Sequence, residues 1–250
     1  MKKMFATIVM LAFMSVASAS MAESDVVVIA TDPTNPPMQM LDSTKKIVGF
    51  DIDIMNEAAK AGGFKANFIP IVWDDIFSGL LQGNYDAIMS SVTITSERKQ
   101  TMDFTVPYLV VGQVLLVRSN EKPVGSFKDL SRRVVGVLSG SASETELNKV
   151  SQSNSISVER YSDLSPMFAD LVGGKIDAFF CDDYYASAAV KSTDPKYKDR
   201  MKIAGPALTY EYFGIAVKKG NVKVLNMLNA GLRKVLASEE YSAILERWLK

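Results

Sequence analysis

The sequence contains no histidine. That removes the side chain that most often serves as a general base near neutral pH, and with it the commonest zinc ligand. It has a single cysteine, Cys181, so no internal disulfide, no CxxC pair and no cysteine-rich metal site can form. It has no excess of either charge, with 28 basic against 28 acidic side chains. The cations are not clustered, which argues against a nucleic-acid partner, because phosphate binding rests on grouped lysines and arginines. After the N-terminal segment no apolar run reads as a transmembrane helix of ~20 residues. P-loop, GxGxxG and GxSxG patterns are missing. The acid pairs Asp51/Asp53 and Asp74/Asp75 lack the glycine and closing glutamate of a calcium loop. No cofactor and no metal are expected.

What is there begins with a targeting pattern. Met1-Lys2-Lys3 supplies the positive start, residues 4–16 the apolar stretch, and Ala17-Ser18-Ala19 or Ser20-Met21-Ala22 the small-residue cleavage site. A signal peptide over residues 1–22, cut after Ala22, would place the mature chain outside the cytoplasm. No cysteine follows the apolar run to carry a lipid anchor.

The rest alternates strand and helix. Residues 26–30 form a β-branched apolar run, read as a buried strand, and a proline-rich loop follows at residues 32–37. A helix opens at Gly49-Phe50-Asp51, with Asp51 as its expected cap and Gly62-Gly63 as its stop. Strand 66–71, helix 74–82 and strand 87–90 complete a first α/β set with a largely parallel sheet. After the long apolar stretch 109–117 the alternation restarts with strand 134–138, helix 141–150, strand 156–159, helix 164–172 and strand 178–181. Amphipathic helices at 222–236 and 239–249 are expected to pack back on the first unit.

One stretch echoes another. Residues 80–91 and 171–182 both read as helix end, glycine turn, Asp-Ala and buried strand, Asp86-Ala87 matching Asp177-Ala178. Helix–glycine–strand junctions look alike in any α/β protein. If the match reflects two similar lobes, Ser91 and Asp182 sit at equivalent strand ends. Ligands of open α/β sheets bind beyond such ends, so both would face one cleft.

Several residues there could carry chemistry. Ser91, Thr93 and Arg98 follow the first of these strands. Arginine offers a planar fork for a carboxylate, yet an isolated arginine more often pairs with a neighbour, here Glu97, or lies solvated, and spacing alone favours that for Arg98. Asp182-Asp183 ends the second strand, and one of the two acids is explained as a helix cap while the other needs a cation or several donors. Ser141 and Glu144 have capping-box spacing, which also leaves free N–H groups, notably at Ala142, able to bind an anion. Trp73 reads as core, Asp32 as a turn residue and Cys181 as a small buried residue.

Taken together, these motifs resemble the periplasmic solute-binding proteins for polar amino acids, the capture subunits of ATP-driven (ABC) uptake systems. The resemblance rests on Gly49-Phe50-Asp51-Ile52-Asp53-Ile54, on Asp86-Ala87-Ile88-Met89-Ser90-Ser91 through Thr95 and Arg98, on Asp103-Phe104-Thr105-Val106-Pro107-Tyr108, and on Phe213-Gly214-Ile215-Ala216-Val217-Lys218-Lys219-Gly220-Asn221. It implies the type II periplasmic binding protein fold: two Rossmann-like α/β lobes joined by a two-strand hinge. The first lobe would comprise residues 23–110 and 206–250 and the second residues 111–205, with the chain crossing near 109–113 and 204–210. It further implies a free amino acid as ligand, an inner-membrane ABC permease as partner, a monomer, and no catalysis. Arg98 with the N–H groups of Thr93 and Ala142 would hold the α-carboxylate. Asp182, the Thr93 hydroxyl and the Ser91 carbonyl would hold the α-ammonium. Trp73 would pack on the ligand side chain and Asp32 would reach its far end. Asn35 stands where the family usually has an aromatic, and Met38 where another often follows. Ser141-Ala142 lacks a threonine pair seen in several members. The alternative on the same scaffold is an enzyme like the secreted cyclohexadienyl dehydratases.

Overall fold

The computed structural model describes residues 25–250, and the expected signal peptide lies outside them. In chain order the elements are β1 (Val26–Thr31), β2 (Thr34–Asn35), β3 (Gln39–Leu41), β4 (Ile47–Val48), α1 (Phe50–Gly62), β5 (Lys65–Pro70), α2 (Trp73–Gln82), β6 (Ala87–Ile88), α3 (Arg98–Thr101) and β7 (Met102–Phe104). There follow β8 (Leu109–Arg118), β9 (Val134–Leu138), α4 (Ala142–Ser151), β10 (Ser157–Tyr161), α5 (Leu164–Gly173), β11 (Ala178–Asp182), α6 (Asp183–Val190) and β12 (Met201–Ile203). The chain closes with β13 (Thr209–Phe213), β14 (Ala216–Lys218), α7 (Val222–Leu236) and α8 (Glu239–Leu249).

Two mixed sheets and a small antiparallel one, β2-β3-β4, organise these elements. The first has the order β5-β1-β6-β14-β7, and the second β10-β9-β11-β8-β12 with β13 also on β8. Each has a parallel core, β5-β1-β6 in one and β10-β9-β11 in the other. Antiparallel strands then extend each sheet: β14 and β7 in the first, β8 and β12 in the second. The expected largely parallel sheet is therefore only half of each. The short strands β7, β12 and β14 carry three residues apiece, too few for a hydrophobic period to register.

The continuous apolar runs are explained by burial on both faces. On β1, Val27 and Ile29 pack with Ile54 and Ala58 of α1 and Leu228 and Leu232 of α7. Ala30 turns the other way, onto Ile76 and Leu80 of α2. On β11, Phe179 and Cys181 meet Met167, Leu171 and Tyr185, while Ala178 and Phe180 meet Leu147 and Val135. Cys181 is thus a core residue, and burial pushes its thiol well above its usual range. As expected, α7 and α8 return to pack on α1. The approach of α7 is so close that a Cβ on Gly231 would overlap the Ala58 carbonyl oxygen.

The echo between residues 80–91 and 171–182 is structural. Gly83 and Gly174 close α2 and α5 in the left-handed conformation, at φ 82° and 81°. In each case the aspartate three residues later bonds a backbone N–H of the neighbouring strand. Asp86 Oδ2 accepts from Val28 N–H at 2.8 Å, and Asp177 Oδ2 accepts from Val134 N–H at 2.9 Å.

The two sheets are joined by an antiparallel ladder in which Leu109 to Gln113 of β8 pair with Phe213 to Thr209 of β13. The return strand lies slightly later than 204–210, because Ala204 is still bonded to Leu115 in the second sheet. Asp51 is likewise displaced from its expected role. The α1 cap is Gly49, and Asp51 lies inside the helix, fully buried.

Candidate functional site

A cavity of about 210 Å³ lies between the two sheets, where the parallel strands end. It is lined by all nine residues singled out above: Asp32, Asn35, Trp73, Ser91, Thr93, Arg98, Ser141, Ala142 and Asp182. The polypeptide after β1 supplies Asp32, that after β6 supplies Ser91 and Thr93, that after β9 supplies Ser141, and β11 ends on Asp182. Crevices beyond the carboxyl ends of parallel strands are where such sheets bind ligands.

Arg98 opens α3, and its fork is held by carbonyls rather than by Glu97. Nη1 donates to Thr93 O and Nη2 to Gly140 O, each at 3.0 Å. The guanidinium lies over the rings of Phe77 and Trp73, 4.7 and 5.6 Å from their centroids. Burial lowers its pKa to about 10, against the opposing pull of Glu211, Glu97 and Asp182. It therefore stays cationic at neutral pH. Trp73, at the start of α2, sends its indole N–H across the cavity to Ser139 O at 3.2 Å, so it is more than core.

Asp32 is more than a turn residue. Its Oδ2 accepts from the Trp73 backbone N–H at 2.8 Å and its Oδ1 from the Thr34 hydroxyl at 2.8 Å. Val72, at the cap position of α2, offers no side-chain acceptor; Asp32 supplies the missing anion at that helix N-terminus.

Asp182 and Asp183 separate clearly. Asp183 Oδ2 accepts from Gly112 N–H at 3.0 Å, tying α6 to the hinge strand. Asp182 stands at the cap position without capping. Its enclosure raises its carboxyl to about 8, and nearby Glu211 adds to the shift while Gln113 and Tyr184 oppose it. A carboxyl so placed gains most from a cation.

Ser141 caps α4, its Oγ accepting from Glu144 N–H at 3.1 Å. The return bond of Glu144 goes to Gly140 N–H, at 2.8 Å, instead of the cap residue, so the expected box is shifted by one position. The N-terminus of α4, with Ala142 at its first position, faces the cavity and offers N–H groups to an anion. Ser91 is held at a positive φ of 53°. Its N–H donates to Asp51 Oδ2 at 2.8 Å, and its hydroxyl accepts from the Gln39 amide at 2.9 Å, which also donates to Asp51.

Sequence reading missed Glu211, Gln113, Tyr184 and Ser143, which also line the cavity. Glu211 accepts from the Thr93 hydroxyl at 2.6 Å. Gln113 donates to Ser143 Oγ at 2.7 Å and accepts from the Thr209 hydroxyl at 2.8 Å. The Asn35 amide donates to the Tyr184 hydroxyl at 3.0 Å. Tyr184 thus brings a ring to the cavity from the side opposite the absent aromatic at position 35. The alternation of β13 was a usable signal for Glu211. Strand geometry puts it on the face of buried Phe213, with Tyr210 and Tyr212 turned out, 71% and 53% exposed.

Residues 27–250 match the family model of Bacterial extracellular solute-binding proteins, family 3. The chain is 36% identical over 221 residues to a probable histidine-binding protein of Neisseria gonorrhoeae, covering 88% of this chain and 81% of that protein. It is 32% identical over 252 residues to the histidine-binding periplasmic protein of Escherichia coli K12, covering 100% of this chain and 96% of that protein. Among solved structures, an ancestral arginine-binding protein bound to arginine superposes with a TM-score of 0.82 at 35% identity, covering 90% of this chain and 98% of the other. Fold, cavity position and these matches agree: the chain belongs to the family 3 bacterial extracellular solute-binding proteins.

Proposed function

We propose that this is a periplasmic solute-binding protein that captures a free polar or basic L-amino acid between its lobes and delivers it to the inner-membrane permease of an ABC transporter. The observation that carries the reading is the placement of Arg98 and the α4 N-terminus beside Asp182 in one cavity. The first pair suits an α-carboxylate and the last an α-ammonium. Charge-assisted hydrogen bonds contribute about 1.5–3 kcal/mol each, so a few suffice for micromolar affinity, about 8 kcal/mol.

The side-chain preference follows from what remains. Arg98 faces Asp32, Asp182 and Glu211 around the cavity. Once a zwitterion has satisfied Arg98 and Asp182, the surplus is negative. Asn35 Oδ1 is buried without a partner among the described residues, an acceptor open to a donor-bearing side chain. The names of the relatives, histidine- and arginine-binding, support the same preference.

Ligand contacts from both lobes make closure dependent on the ligand, with the β8/β13 ladder as hinge and residues 23–110 with 206–250, and 111–205, as the lobes. The test is a thermal-shift panel of free amino acids, in which ligand at a thousand times its Kd stabilises by about 4 kcal/mol. A shift with acidic or aromatic amino acids alone would refute the polar or basic preference. Turnover of prephenate or arogenate would replace binding with enzymatic activity.

A further inference from the structure

Glu211 has no part in the contacts assigned above, yet it is 7% exposed and lines the cavity from the return strand of the hinge. Its Oε2 takes the Thr93 hydroxyl at 2.6 Å. A threonine has one hydroxyl proton, and an ionised carboxylate can only accept. The bond therefore commits that proton to Glu211 and leaves the lone pairs of Thr93 Oγ1 to the cavity, which Thr93 also lines.

We propose that Glu211 is a positioning residue that fixes the Thr93 hydroxyl as an acceptor, so that the cleft reads a primary ammonium at that point. The proposal rests on the amino-acid reading above and deepens it. A ligand carboxylate meeting Thr93 Oγ1 would find lone pairs facing lone pairs, so the polarity of this one hydroxyl also fixes which way round a zwitterion sits.

The charged surroundings of Glu211 give the arrangement a pH dependence. Burial raises the Glu211 carboxyl above its usual range and Glu146 of α4 adds to this, while the Thr93 hydroxyl, Arg98 of α3 and Gln113 of β8 oppose it. Asp182 of β11 shares the field. A protonated Glu211 would donate to Thr93 Oγ1, turning the threonine proton toward the cavity, where it opposes an ammonium. Amino-acid binding should thus be accompanied by proton release and weaken as pH falls.

The experiment uses the mature protein with L-histidine, L-arginine, L-glutamine and L-cystine, each paired with its des-amino acid, in calorimetric titrations. Glu211→Gln, whose amide can donate as a protonated carboxyl does, is expected to weaken the amino acids about tenfold or more. It should weaken the des-amino acids less than about twofold and reduce the pH dependence of Kd, leaving the share that comes from Asp182. Thr93→Val should reproduce the loss, Thr93→Ser should restore affinity, and the double variant should be no worse than Thr93→Val alone, the mark of a coupled pair. Equal losses for both ligand series, or additive losses in the double variant, overturn the proposal, as does unchanged affinity in Glu211→Gln. If the wild-type protein binds none of the amino acids, the function proposed above falls as well. Thermal midpoints of each variant confirm that the protein under titration is folded.

Discussion

Arg98 and Gly140 meet across the cleft: Nη2 donates to the Gly140 carbonyl oxygen at 3.0 Å. The side chain assigned to the ligand carboxylate therefore also links the first sheet to the loop that precedes α4. Arg98→Ala is expected to abolish amino-acid binding in calorimetry while leaving the circular dichroism spectrum intact. Arg98→Lys should recover little, because an ammonium cannot hold Thr93 O, Gly140 O and a carboxylate in one plane. Unchanged affinity in either variant would sink the carboxylate role.

Tyr184→Phe removes the hydroxyl that accepts from Asn35 across the cavity. A net hydrogen bond contributes about 0.5–1.5 kcal/mol, so affinity should fall roughly threefold to tenfold. The ligand-free protein should become more open by small-angle scattering, and an unaltered scattering profile would show that this bond does not hold the lobes together.

Asp32→Asn tests the side-chain end of the site. It should reduce affinity for basic amino acids more than for neutral ones. Its cost to stability should stay near 1 kcal/mol or below, the usual worth of a charge at a helix N-terminus. Parallel losses for basic and neutral ligands would assign Asp32 to holding α2 alone.

Asp51 makes stability depend on pH. Complete burial raises its carboxyl from 3.8 to about 7, against the bonds from Ser91 and Gln39. The folded state thus binds a proton that the unfolded chain has lost, and unfolding free energy must fall as pH rises from about 4 to about 7. Asp182, raised to about 8, acts in the same direction in the ligand-free protein, and a bound ammonium should cancel its share. Thermal midpoints between pH 5 and 8 should decline in the wild-type protein and decline less in Asp51→Asn. A decline of equal slope in the variant would remove Asp51 from the account.

Gly231→Ala should destabilise by about 1–3 kcal/mol, because the added methyl meets the Ala58 carbonyl and forces α7 away from α1. Urea unfolding would measure it, with amino-acid affinity unchanged when binding is measured well below the transition.

The elements with a full hydrophobic period were legible without coordinates: residues 134–138 and 222–236 were expected as they are found. Strands of two or three residues were mostly not, since pairing rather than pattern makes them strands; β14, Ala216–Lys218, is one by its bonds to β6 and β7. At the site, residues that follow strand ends could be found by position, and the resemblance assigned their roles. Glu211 escaped because no strand was expected at 209–213 to give its alternation a buried face, and Gln113 because an amide in the hinge reads as surface until its strand is seen facing inward. An acid such as Asp51 suits a helix cap by type, yet Gly49, at φ 140°, holds that place.

The position of β14 also orders events in time. Residues 216–218 lie between β6 and β7, so the first sheet has a gap until almost the whole chain has been made. The second sheet draws on residues 109–213 alone and is complete earlier. For a chain emerging N-terminus first, the half that begins the sequence is the last to finish. Until then Ala87 and Ile88 present an unpaired edge, a template on which the unfinished protein can pair wrongly.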